Sequence, residues 1–162
     1  VGRGEALTEI RSSQAENLFH QLFRLAEEAP IKIKTTEATH YRRVASTLMR
    51  ADGMSDDEIA RSPNGRAFGV RDGNGIVFVD HAGDVFPSGF LPQRVGNVRE
   101  VGLVDLYRDH PTFRALRDVS TFEGRCGVCE FNEECGGSRA RAFAHTGDPL
   151  ASDPLCPYDP HV

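Results

Sequence analysis

All four cysteines of this 162-residue chain, Cys126, Cys129, Cys135 and Cys156, fall in its last quarter. Two, five and twenty residues separate them in turn, within backbone dense in Gly and Pro. Thiolates presented this way can hold a soft metal centre, bridge as disulfides, or act as a redox dithiol. A disulfide framework suits a short exported chain, and no basic stretch followed by an apolar one marks export here. Cys126-Gly127-Val128-Cys129 has the form of a redox dithiol, but no strand-to-helix context surrounds it and two further cysteines follow closely. Structural zinc uses two closely spaced pairs, and only the first pair is close. A four-iron cubane takes one thiolate per iron and tolerates unequal loops, which favours an iron-sulfur cluster with zinc next.

These cysteines must be carried by local elements. Residues 12–28 place Leu18, Leu22 and Leu25 beside Phe19, Phe23 and Ala26, one apolar helix stripe, with Ser13 and Glu16 as a capping box. Pro30 ends that helix, and residues 31–35 alternate with the period of a strand. Tyr41, Val44, Ala45 and Leu48 predict a second helix broken at Asp52-Gly53; Ser55 and Glu58 predict a short capped one. Ile76-Val77-Phe78-Val79, a turn through Gly83, and Val85-Phe86 predict a buried strand and hairpin. Leu103, Leu106, His110, Phe113 and Leu116 keep helical spacing, with Pro111 in the first turn of a second helix.

With 19 basic and 24 acidic side chains the formal net charge is -5, and 39% of residues are apolar. This is the composition of one folded domain or two small ones, with no apolar run long enough for a membrane span and no concentrated basic face for nucleic acid. The expected location is the reducing cytoplasm. The chain opens Val1-Gly2-Arg3-Gly4 without methionine, which suggests the C-terminal part of something longer.

Residues 76–160 resemble the SPASM domain of radical S-adenosylmethionine (SAM) enzymes. The matching text runs from Gly83 through Pro87-Ser88-Gly89-Phe90-Leu91-Pro92, Gly96-Asn97-Val98, Leu106-Tyr107 and Phe113 to Arg117. It continues through Gly124-Arg125-Cys126, Cys129-Glu130-Phe131, Cys135-Gly136-Gly137-Ser138-Arg139, Gly147-Asp148 and Asp153-Pro154-Leu155-Cys156. Residues 1–40, with Glu37-Ala38-Thr39-His40-Tyr41-Arg42-Arg43 at their end, more weakly resemble the last part of the radical SAM partial barrel, in the branch that includes haem-modifying and peptide-modifying enzymes.

The resemblance implies an α+β chain: the end of a partial (β/α) barrel over 1–50, a linker or insertion over 51–65, and a SPASM-like hairpin-plus-helices domain over 66–162 wrapped round a cluster. It implies one auxiliary 4Fe-4S cluster on Cys126, Cys129, Cys135 and Cys156, with every iron protein-ligated and a role in electron transfer. Ser88 stands where fuller SPASM domains place a cysteine of a second auxiliary cluster. No Cx3CxxC loop is present, so SAM and the catalytic cluster belong to the full-length enzyme, and this chain alone is expected to be inactive. A peptide or tetrapyrrole substrate and a flavodoxin or ferredoxin donor are implied for that enzyme. Gly2 and Gly4 would border its SAM site. A helix starting near Gly137 is expected to aim its N–H groups at the cluster, with Arg125, Arg139 and Arg141 nearby. His145 is read as a polar helix end, His20, His40, His81 and His110 receive no role, and Asp148 and Asp153 are read as turn formers. The competing reading is a zinc-stabilised interaction module without catalysis.

Overall fold

The structure, a computed structural model, describes residues 8–31 and 33–161. Helix α1 (Ser12–Glu28) starts where the Arg11 N–H donates to Gln14 Oε1 at 2.8 Å. The expected Ser13–Glu16 box does not form, because the Glu16 carboxylate is held by Arg43 Nη2 on the next helix. Of the apolar stripe, Phe19 and Phe23 are buried together with Ala15, whereas Leu18 and Leu25 are 43% and 52% exposed. The helix closes with the Ala29 N–H on Leu25 O, just before Pro30.

Residues 31 and 33–35 form no strand, contrary to their alternation. A strand needs a partner for its N–H and C=O groups, and among the described residues the sheet contains only the three strands described below. Helix α2 (His40–Ala51) packs across α1, and Gly53, at φ +88°, turns the chain after it. Helix α3 (Asp56–Arg61) has the expected capping box: Glu58 Oε2 accepts the Ser55 N–H at 2.8 Å and Ser55 Oγ accepts the Glu58 N–H at 3.4 Å. Its Ile59 completes a first core with Ala15, Phe19, Phe23, Tyr41, Val44 and Ala45.

The second core lies under an antiparallel sheet of β1 (Phe78–Val79), β2 (Asp84–Phe86) and β3 (Gly96–Asn97), with Val79 opposite Val85 and Val85 opposite Gly96. The hairpin is therefore where the turn chemistry put it. Its first strand is shorter and less buried than expected, with Ile76 and Phe78 39% and 44% exposed, because helices cover one face only. Strand β3 was not predicted, having neither length nor β-branched residues. Gly96 is required there, since a Cβ would stand 2.8 Å from Leu106 Cδ2. Helices α4 (Leu103–Asp109) and α5 (Pro111–Arg117) divide at Pro111, and His110 Nδ1 accepts the Thr112 N–H at 3.2 Å. Val85, Val95, Leu106 and Phe113 fill the space between. Short α6 (Gly124–Val128) and α7 (Arg139–Thr146) follow, and Leu91, Leu116 and Ala140 bind α7 to the rest. The fold is α+β, and among the described residues no helix is long and apolar enough to cross a membrane.

Candidate functional site

Cys126 sits in α6, Cys129 just beyond it, Cys135 in the turn before α7, and Cys156 in the loop after α7. All four line one small cavity, together with Arg43, Arg125, Gly136, Gly137, Asp153 and Tyr158. None is in a disulfide. Among the described residues, no group of three His, Cys, Asp or Glu side chains is disposed to hold a single metal ion.

Glycine makes the close approach possible. Gly136 and Gly137 have φ of +65° and +67°, and a Cβ on Gly137 would lie 3.1 Å from Cys126 Sγ. The Gly137 N–H donates to Cys135 Sγ at 3.4 Å, and the Asp153 N–H and Arg139 Nη2 each donate to Cys126 Sγ at 3.4 Å. Thr39 Oγ1 stands 3.8 Å from Cys135 Sγ. Burial pushes the Cys135 thiol up to about 12, against the pull of the Gly137 N–H, and burial also raises Cys129 and Cys156. Raised above the usual thiol value, those thiols are protonated at neutral pH.

The first turn of α7 does not serve the cysteines as expected. The Ala140 N–H goes to Asp72 Oδ2 at 3.0 Å and the Arg141 N–H to the cap Ser138 Oγ at 3.1 Å, while the Ser138 N–H goes to Asp153 Oδ2 at 2.8 Å. Two buried carboxylates and the cap hydroxyl take these donors; the N–H groups that reach sulfur belong to Gly137 and Asp153 in the loops, and α7 contributes the Arg139 side chain. The three arginines separate by role. Arg139 is fully buried, stacked over Phe122 at 4.6 Å, and its Nη1 donates to Pro149 O and Ala151 O. Arg141 is spent on Asp153 and Glu37 O. Arg125 lies on the exposed rim and reaches Tyr158 O at 3.4 Å. His145 pairs with Glu9 at 3.3 Å, outside the cavity, and Asp148 fixes its turn through the Leu150 N–H. Asp153 does more than make a turn: it is 1% exposed and joins α7, Leu155 and the Cys126 loop. Gly2 and Gly4 lie outside the described residues.

Two residues of α2 escaped the sequence reading. Arg43 is 4% exposed, lies over the Tyr158 ring at 4.7 Å, lines the cysteine cavity and is ion-paired through Nη2 with Glu16 at 2.5 Å. His40 is fully buried between the Phe19 ring, 4.5 Å away edge-on, and Asp153, 3.9 Å from its Nδ1. Burial lowers its pKa to about 4. The stretch 37–43 carries both, but only as part of a resemblance that assigned them nothing.

A four-cysteine cavity on an α+β frame, bordered by buried cations, is what a SPASM-type portion of a radical SAM protein would present, and sequence comparison bears out that membership: homologues cover the chain. An AdoMet-dependent heme synthase of Methanosarcina barkeri is 35% identical over 160 residues, which is 99% of this chain and 46% of that protein. A pre-heme d1 synthase of Dinoroseobacter shibae is 36% identical over 92 residues, 54% of this chain and 23% of that protein. A PqqA peptide cyclase of a Methylobacterium species is 34% identical over 88 residues, 54% of this chain and 22% of that protein. The chain thus spans just under half the length of the heme synthase and under a quarter of the other two. No family model matches it.

Proposed function

We propose that this chain is the part of a radical SAM oxidoreductase that carries one auxiliary 4Fe-4S cluster, held by Cys126, Cys129, Cys135 and Cys156. The observation that carries the reading is the convergence of four unbridged thiols from three segments onto one cavity that buried Arg43 also lines. A buried cation at its edge fits an anionic four-thiolate group. The unequal two-, five- and twenty-residue spacings favour a cubane, which spreads its ligands over four irons, over the zinc-stabilised module. When bound, the cluster supplies a one-electron carrier with no iron left open for substrate.

The surrounding residues have definable tasks. N–H groups of Gly137 and Asp153 and the Arg139 guanidinium orient the sulfurs and offset added negative charge. Phe131, Tyr158 and Pro160 give the cavity part of its apolar lining. The relatives' names concern heme, pre-heme d1 and the PqqA peptide, so the substrate of the whole enzyme is proposed to be a tetrapyrrole or a peptide, with a flavodoxin or ferredoxin as electron donor. SAM cleavage would belong to the barrel. Anoxic reconstitution with iron and sulfide tests the reading: about four irons and four sulfides per chain, with an EPR signal on reduction, are expected. Single Cys→Ala changes should lower iron content, and the chain alone should yield no deoxyadenosine from SAM and dithionite. Stoichiometric zinc without iron after reconstitution would sink the proposal.

A further inference from the structure

Among the described residues that line the cysteine cavity, Arg43 alone comes from outside residues 125–160. It stands on α2 one turn beyond Thr39, whose Oγ1 is 3.8 Å from Cys135 Sγ, and residues four apart share a helix face. The side chain is 4% exposed and held from two sides. Nη2 donates to both carboxylate oxygens of Glu16 on α1, at 2.7 and 2.5 Å, and the guanidinium lies 4.7 Å from the centre of the Tyr158 ring. Tyr158 lines the same cavity and donates its hydroxyl proton to Glu130 Oε1. A cation held this way cannot turn out into water without breaking both contacts, and its burial removes the screening that would weaken its field.

Burial by itself lowers the Arg43 pKa, but hydrogen bonding to Glu16 and its negative charge outweigh that and raise the value, so the guanidinium stays cationic. Its field reaches sulfur: burial raises the Cys156 thiol, and the Tyr158 N–H and the Arg43 charge pull against that rise. Glu16 is not among the residues lining the cavity, and its side chain is 22% exposed. The ion pair therefore presents its positive member to the cysteines.

We infer that Arg43 sets the reduction potential of the proposed cluster and that Glu16 is its positioning residue, the carboxylate both holding the guanidinium and cancelling part of its field. One electron, from a reduced flavodoxin or ferredoxin in the whole enzyme and from dithionite in a titration, adds one negative charge in the cavity with no bond made or broken. A fixed buried cation favours that added charge, and the carboxylate paired with it opposes it. The two members of one ion pair thus act with opposite signs. The inference rests on the cluster reading above, and it makes the potential depend on a contact between α1 and α2, in a stretch of chain that has no cysteine.

A redox titration of the anoxically reconstituted full chain, followed by EPR with iron and sulfide measured in every sample, tests it. Arg43→Gln should lower the reduced-to-oxidised ratio at a fixed potential at least tenfold, about 59 mV for one electron. Glu16→Gln should raise that ratio at least about threefold. The double variant should fall between wild type and Arg43→Gln, because the cation is the member that lines the cavity. Arg43→Lys keeps the charge and should shift less than half as far as Arg43→Gln. A general loosening of the fold would move both single variants the same way, so opposite signs separate a charge effect from a structural one. Equal potentials in wild type and Arg43→Gln at full iron, or no rise in Glu16→Gln, overturn the inference and leave the cluster standing. If Arg43→Gln takes up no cluster, Glu16→Gln and Arg43→Lys still decide, since the first must rise and the second stay near wild type. Wild-type protein that takes up no iron sinks the cluster reading itself, and this inference with it.

Discussion

His40 offers a sharp test of how the α2 face is built against the cysteine cavity. Its ring is fully buried, neither nitrogen has a hydrogen-bond partner, and burial lowers its pKa from 6.5 to about 4 against the opposing attraction of Asp153. The folded state therefore binds fewer protons than the unfolded state between those values, and stability falls as pH falls through that window. With 6.5 for the unfolded chain and 4 for the folded one, the loss from pH 7.5 is about 2 kcal/mol at pH 5 and about 3 kcal/mol at pH 4. His40→Phe keeps an aromatic body against Phe19 and removes the titration. Because no hydrogen bond is lost, it should change stability at pH 7.5 by no more than about 1 kcal/mol. Urea unfolding of reduced, iron-free protein at pH 7.5 and pH 5 measures the difference, and the raised Cys129, Cys135 and Cys156 thiols do not titrate in that interval. Carboxylate contributions cancel between the two proteins. A pH response that differs by less than about 0.5 kcal/mol between wild type and variant would refute the reasoning.

Three further outcomes are expected. Gly137→Ala places a Cβ 2.5 Å from Arg139 Nη2 and 3.1 Å from Cys126 Sγ at φ +67°, so it should cost upwards of about 1–2 kcal/mol and halve iron retention or worse; full iron with unchanged melting would contradict this. Arg139→Gln removes the buried cation on Cys126 Sγ and should lower the reduction potential of the reconstituted protein, at least a tenfold change in reduced-to-oxidised ratio or about 59 mV for one electron; an unchanged redox titration counts against it. Ser88→Ala strips Asp72 of a partner and leaves the Phe90 and Leu91 N–H groups without their acceptor, costing about 1–3 kcal/mol in urea unfolding while iron content stays the same.

The sequence by itself determined what short stretches of chain decide alone. The Ser55–Glu58 box, the break at Pro111 and the hairpin turn at Gly83 depend on neighbours a few residues away, and each stands where its residue types put it. Cysteine spacing likewise marked the residues that meet in one cavity, since thiols clustered in one quarter of a chain have few ways to be arranged. Failures came where pairing is long-range. Residues 31–35 alternate like a strand, but 31 and 33–35 have no strand partner among the described residues, whereas Gly96 becomes a strand because β2 is beside it and Leu106 presses upon it. Tertiary structure alone decided that Arg139, and neither Arg125 nor Arg141, reaches a sulfur, that Asp72 and Asp153 absorb the donors of α7, and that Arg43 is brought from α2 to the cysteines. It also decided that Arg71 is buried with Nε and Nη2 unpaired. The reason is physical: a charge acquires its role from what burial removes and what folding brings within hydrogen-bond reach, and those partners lie tens of residues away along the chain.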